Sequence, residues 1–135
     1  MNTAHVNPYL AAMDARQADG LAEHLSDEVV LLSPFVAEPF VGKDAVVNVL
    51  RLLLTNVDEF ATTAVISGDQ RAAVILRIRV GDVEVTGVDD MSINEEGLIT
   101  RMSVQWRPLA NIVAIQQKLA PVIGVAPLQL VPVSE

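Results

Sequence analysis

One acid in this chain is set apart by its position. Asp89 and Asp90 are adjacent, and neighbouring side chains of a β-strand point to opposite faces, so a strand through both sends one carboxyl inward and the other outward. The Gly81-Asp82 turn decides which, because a tight hairpin fixes the register of its strands. It pairs Val80 with Val83, Arg79 with Glu84, Arg77 with Thr86 and Val74 with Asp89. Asp89 then shares a face with Val74, Leu76, Ile78, Val85, Met91 and Ile93, while Arg77, Arg79, Glu84, Thr86, Asp90 and Ser92 occupy the other. With Ile93 paired to Leu98 across the next turn, Met102 lies opposite Asp89, and Val104 and Trp106 follow on the same face. An acid among hydrocarbon cannot stay an unpaired anion, since desolvation favours its neutral form. A neutral carboxylic acid can donate a hydrogen bond to a ligand oxygen on which negative charge develops. The alternative role is structural, a hydrogen bond to a backbone group or buried water near Gly87.

The remaining reactive side chains offer less. His5 and His24 are the only histidines, neither has a partner at metal-ligand spacing, and His24 reads as part of a solvated helix face. Without cysteine the chain has no disulfide, no thiolate nucleophile and no Cys-based metal site, and it suits a reducing, cytoplasmic setting. No metal or cofactor is expected. Phosphate-binding glycine loops and nucleophile elbows are absent from the sequence.

These groups need a scaffold. Val6, Tyr9, Leu10 and Met13 recur at helical spacing, giving a first helix to about Ala18 that carries Tyr9 on its apolar stripe. Asp19 caps a shorter helix through Leu21 and Leu25, and Val29–Leu32 forms a short strand ended by Ser33-Pro34. After Gly42, the residues Val46, Val49, Leu50, Leu53 and Val57 define a broadly covered helix. The period then changes to two over 60–66, 72–80, 83–94 and 98–106, an antiparallel meander that Pro108 stops before a short final helix or turn around 109–115. The expected class is α+β, a cone-shaped curved antiparallel sheet packed on three N-terminal helices.

In this order of elements, with Ser33-Pro34-Phe35 and the Pro39 to Gly42 loop, the chain resembles the nuclear transport factor 2 superfamily, a cystatin-like α+β barrel, from about Tyr9 to Trp106. It is most similar to the ketosteroid isomerases and related polyketide cyclases. The resemblance implies that Tyr9 and Asp89 form an oxyanion hole, with Asp89 held neutral so that it can donate. It also implies a substrate pocket lined by Ser33, Phe35, Val74, Met102, Val104 and Trp106. Ser33 stands where the isomerases carry the Asp that is their catalytic base, and an unactivated hydroxyl cannot replace it. Glu38, in the loop before Pro39, is the nearest substitute, or Asp89 acts as the sole acid–base group. Epoxide hydrolases of the superfamily use an Asp–Arg–Asp set, but Arg77 and Arg79 fall on the outer face and Val104 takes the place of the second Asp.

Composition bounds the partners. A chain of 135 residues suits one domain, assigned to 1–120, with an apolar tail at 121–135. Hydrophobic residues make up 51% and aromatics only 4%, so the core is aliphatic and offers few platforms for stacking bases. A net charge of −8 repels phosphate backbones and anionic lipid, which argues against nucleic acid and membrane partners. The tail is interrupted by Pro121, Pro127 and Pro132 at intervals too short for a membrane helix, and its apolar residues need cover either on their own domain or on a second subunit, of which a homodimer contact is the favoured reading. The expected partner is a small, mostly apolar, oxygenated molecule, bound for isomerase, lyase or cyclase chemistry or held without turnover.

Overall fold

The computed structural model describes residues 4–133. Its elements run α1 (Val6–Asp14), β1 (Leu25–Leu32), β2 (Phe40–Val41), α2 (Lys43–Asn56), β3 (Glu59–Gly68), β4 (Arg71–Val80), β5 (Val83–Ile93), β6 (Ile99–Arg107) and α3 (Leu109–Ile123). The six strands form one curved, open sheet in the order β2-β1-β6-β5-β4-β3, so the class is α+β as expected. Every neighbouring pair is antiparallel except β1 with β6, which is parallel, making the sheet mixed. The sequence meander is β3 to β6, and β1 and β2 extend it beyond the last strand.

The first helix is shorter than its hydrophobic period. It stops at Asp14 because Arg16 takes a left-handed conformation (φ 58°), from which the Gln17 N–H reaches back to the Ala12 carbonyl. The Arg16 guanidinium secures the turn by donating to the Val57 and Asp58 carbonyls at the end of α2. The expected helix through Leu21 and Leu25 is replaced by two short 3₁₀ turns, Ala18–Gly20 and Ala22–His24. Leu25 instead opens β1, paired with Ile99 of β6, and the polar run Ser26-Asp27-Glu28 had disguised this strand. At the other end α3 continues to Ile123, absorbing Pro121 into its last turn, so the tail begins only after Gly124.

The core lies between one face of the sheet and the helices. α2 buries Val46, Val49, Leu50 and Leu54, and α3 buries Ile112, Ile115 and Leu119. From the sheet, Val74, Leu76, Ile78, Val85, Met91, Ile93, Ile99 and Met102 meet them. The opposite face carries ion pairs, among them Arg77 with Glu59 and Glu84. The β4–β5 register matches the one derived from the Gly81-Asp82 turn at every pair from Val80↔Val83 to Val74↔Asp89. The next hairpin differs. Ile93 pairs with Ile99, and an irregularity between Ser92 and Ile93 brings Met91 opposite Met102 and Asp89 opposite Val104. Relative to the expected pairing, β6 has moved by two residues, which leaves every side chain on its intended face.

Candidate functional site

A cavity of about 40 Å³ opens between the sheet and the helices. Its lining comes from all the main layers: Tyr9 and Met13 of α1, Leu50 and Leu53 of α2, Leu76, Met102 and Trp106 of the sheet, and Ile123 of α3. Asp89 is the one ionisable carboxyl among these otherwise apolar walls. This is space for very few water-sized groups, so a larger ligand must displace side chains to enter.

Strand alternation positions Asp89. Its residue is 7% exposed, and its Oδ1 has no hydrogen-bond partner among the described residues. Burial therefore acts almost alone and pushes its pKa from 3.8 up to about 7. Asp90, one residue on, points outward and accepts from Arg71 Nε and Nη2 at 2.8 and 2.6 Å, an arrangement that lowers its pKa. Two adjacent carboxyls are thus driven in opposite directions by strand phase.

Tyr9 is buried and its hydroxyl donates to Met102 Sδ at 3.3 Å. A thioether is a weak acceptor, easily exchanged for a ligand oxygen. Burial pushes the Tyr9 phenol upward, and the Asp89 charge pushes it further, so the group stays a neutral donor. Trp106 packs edge-on against Phe35, with ring centroids 5.2 Å apart, and its Nε1 also has no hydrogen-bond partner among the described residues. The indole lies over Gly87, where any Cβ would overlap the Trp106 ring and the Gln105 carbonyl oxygen. The residue read as a possible site for buried water is therefore a seat for the tryptophan.

The structure brings together Tyr9, Asp89, Ser33, Phe35, Met102, Val104 and Trp106 around one cavity. Val74 is not in its wall: although it is the cross-strand partner of Asp89, it is completely buried in the core. Ser33 lines the cavity, but its Oγ accepts the Phe35 N–H at 3.0 Å, an ordinary turn contact that shapes the end of β1. Glu38 is exposed and borders a separate groove with Phe40, Gly124 and Ala126. His24 is not on a solvated face. It is 9% exposed, its Nδ1 lies 3.0 Å from His5 Nδ1, and desolvation lowers its pKa. Among the described residues no cluster of three or more His, Asp or Glu side chains could hold a metal ion. Sequence reasoning missed nine lining residues, among them Met13, Leu50, Leu53, Phe60, Leu76 and Ile123. Met13, by its i+4 spacing from Tyr9, and Leu76, on the strand face of Asp89, carried a usable signal.

A six-stranded α+β sheet curved around a cavity with one buried acid and one buried phenol has the fold of the nuclear transport factor 2-like superfamily. The model of the SnoaL-like domain matches residues 6–102, and the chain belongs to this family. Solved structures agree on the fold. A steroid delta-isomerase from Pseudomonas aeruginosa is 23% identical, with a TM-score of 0.82 and 90% of each chain covered. A protein with a cystatin-like fold from Silicibacter pomeroyi is 21% identical, with a TM-score of 0.83 over 89% of this chain and 85% of that one. A protein assigned as a polyketide cyclase from Sinorhizobium meliloti is 19% identical, with a TM-score of 0.65 over 76% of this chain and 94% of that one. No curated protein is significantly similar in sequence. Among the described residues no helix is long and apolar enough to cross a membrane.

Proposed function

We propose that the protein is a small-molecule enzyme in which protonated Asp89 and Tyr9 donate hydrogen bonds to one oxygen of an otherwise apolar substrate. The observation that carries this reading is the buried Asp89 Oδ1, which has no hydrogen-bond partner among the described residues, in a residue that lines an apolar cavity together with Tyr9. Uncompensated buried polar atoms are costly, and a ligand oxygen would supply the missing partner. With its pKa near 7, Asp89 is present in both protonation states at neutral pH. Its ionised form can take a proton from the substrate, with Tyr9 as the remaining donor, and the acid so formed can return that proton to another substrate atom, so Asp89 can act as the sole acid–base group where Ser33 cannot. Isomerase, lyase or cyclase chemistry on a carbonyl compound fits this arrangement.

A noncatalytic reading is favoured by two observations, the narrowness of the cavity and the turn hydrogen bond that occupies Ser33. In it the cavity holds an apolar ligand without turnover. For either reading we place the protein in the cytoplasm, in keeping with a chain that has no cysteine. We also read it as a homodimer, supported by the exposed Leu130, Val131 and Val133 of the tail.

Binding of a nitrophenolate, a stable mimic of an oxyanion, separates the two. The enzyme reading predicts affinity that falls about tenfold per pH unit above pH 7, as Asp89 ionises and repels the ligand, and an Asp89→Asn variant with a flat profile. Affinity independent of pH in the wild type would leave only the noncatalytic reading.

A further inference from the structure

Gln116 lies within α3 and is completely buried, an uncommon place for an amide. Its Nε2 donates to the Phe35 carbonyl at 3.3 Å and to the Ala126 carbonyl at 2.8 Å, and its Oε1 accepts the Leu128 N–H at 2.8 Å. One side chain therefore joins a wall residue of the Asp89 cavity to the segment that follows α3. Gly124 makes this possible: with φ 85° it reverses the chain, and both its N–H and that of Val125 bond to the Ala120 carbonyl. The chain then runs back along α3, where Gln117 Nε2 adds a second hydrogen bond, 2.8 Å to the Leu128 carbonyl. Ile123, at the start of the reversal, lines the cavity.

The walls of the cavity are not equally fixed. The strands are held by backbone ladders, and α1 and α2 by buried stripes. Residues 124–128 are held by side-chain amides, and Ala126 and Leu128 are exposed. A segment so held opens before a sheet does. Something must move, because the cavity is too narrow for a molecule of several carbon atoms.

We propose that residues 123–128 form a strap over the cavity, with Gln116 as the positioning residue that latches it to the Phe35 wall. The inference rests on reading the cavity as a ligand site. It adds a polarity to the substrate: the oxygen lies at Asp89 and Tyr9, and a hydrocarbon end lies beneath Ile123, against the packed Phe35 and Trp106 rings.

Trp106 is the only tryptophan and is partly buried, so a rise in acrylamide quenching above its wild-type baseline reports opening of the cavity wall. Gln116→Leu removes the latch, and Leu128→Pro removes the N–H that Gln116 Oε1 accepts and fixes the local backbone, at a residue 44% exposed. Both should raise the quenching constant by about twofold or more under conditions where urea titration shows the protein still folded. Leu130→Pro, beyond the latch, should leave it unchanged. Wild-type quenching in Leu128→Pro would overturn the strap, and this variant decides the matter if Gln116→Leu does not fold. The readout does not depend on the ionisation of Asp89. A failed strap therefore leaves the oxyanion reading standing, and an ordinary Asp89 titration removes that reading without touching the strap.

Discussion

Asp89 and Asp90 have the same side chain, yet one is pushed toward neutrality by burial and the other is held ionised by Arg71. The cost of burying Asp89 has a definite pH signature. A folded pKa of about 7 against 3.8 means the native state holds a proton that the unfolded chain has released between those values, so stability falls as pH rises through that window. Above pH 7 the loss levels off, at a magnitude on the order of 4 kcal/mol. Asp89→Asn removes the effect, so urea unfolding should show the variant gaining on the wild type from pH 5 to pH 8. Among the described residues the Tyr9 hydroxyl engages Met102 sulfur alone. Tyr9→Phe should therefore cost no more than about 1 kcal/mol of stability, yet weaken nitrophenolate binding by about tenfold or more, as titration calorimetry would read. The opposite facing of Asp89 and Asp90 was legible in the sequence because the hairpin turn sets strand phase. Two residue assignments were not. Val74 shares the face of Asp89 but packs in the core away from the cavity wall, and His24 meets a histidine 19 residues away that no local pattern connects to it.

At the scale of elements, β5 and β6 cooperate to seat the tryptophan. Gly87 is the cross-strand partner of Trp106, and the missing Cβ makes room for the ring. Gly87→Ala forces backbone or indole to shift, which should cost about 1–3 kcal/mol and change the Trp106 emission, both measurable in one fluorescence-detected urea titration. The meander strands β4, β5 and β6 and the helix α2 were legible because periods of two and 3.6 persist over nine or more residues. β1 was half hidden, since a polar stretch at an irregular parallel pairing reads as a helix end. The extent of α3 was hidden by Pro121, which the last helical turn tolerates, and the early stop of α1 was decided by a guanidinium reaching the far end of α2. These are tertiary causes, absent from any local window.

For the whole molecule, an aliphatic core formed by one sheet face and three helices keeps a single acid away from water, while the charged face of the sheet supplies solubility. Association of two copies, each with a net charge of −8, must overcome repulsion. Sedimentation should therefore show a dimer that strengthens with salt and is lost in Val131→Asp, if the tail is the contact. The central claim is the state of one carboxyl group. Its most direct test is the titration of the Asp89 side-chain carbon by NMR, with Asp89→Asn used to assign the signal. A midpoint near 7, well above that of Asp90, is the predicted result. A midpoint near the ordinary 3.8 would mean that Asp89 is solvated or paired, and would contradict the account.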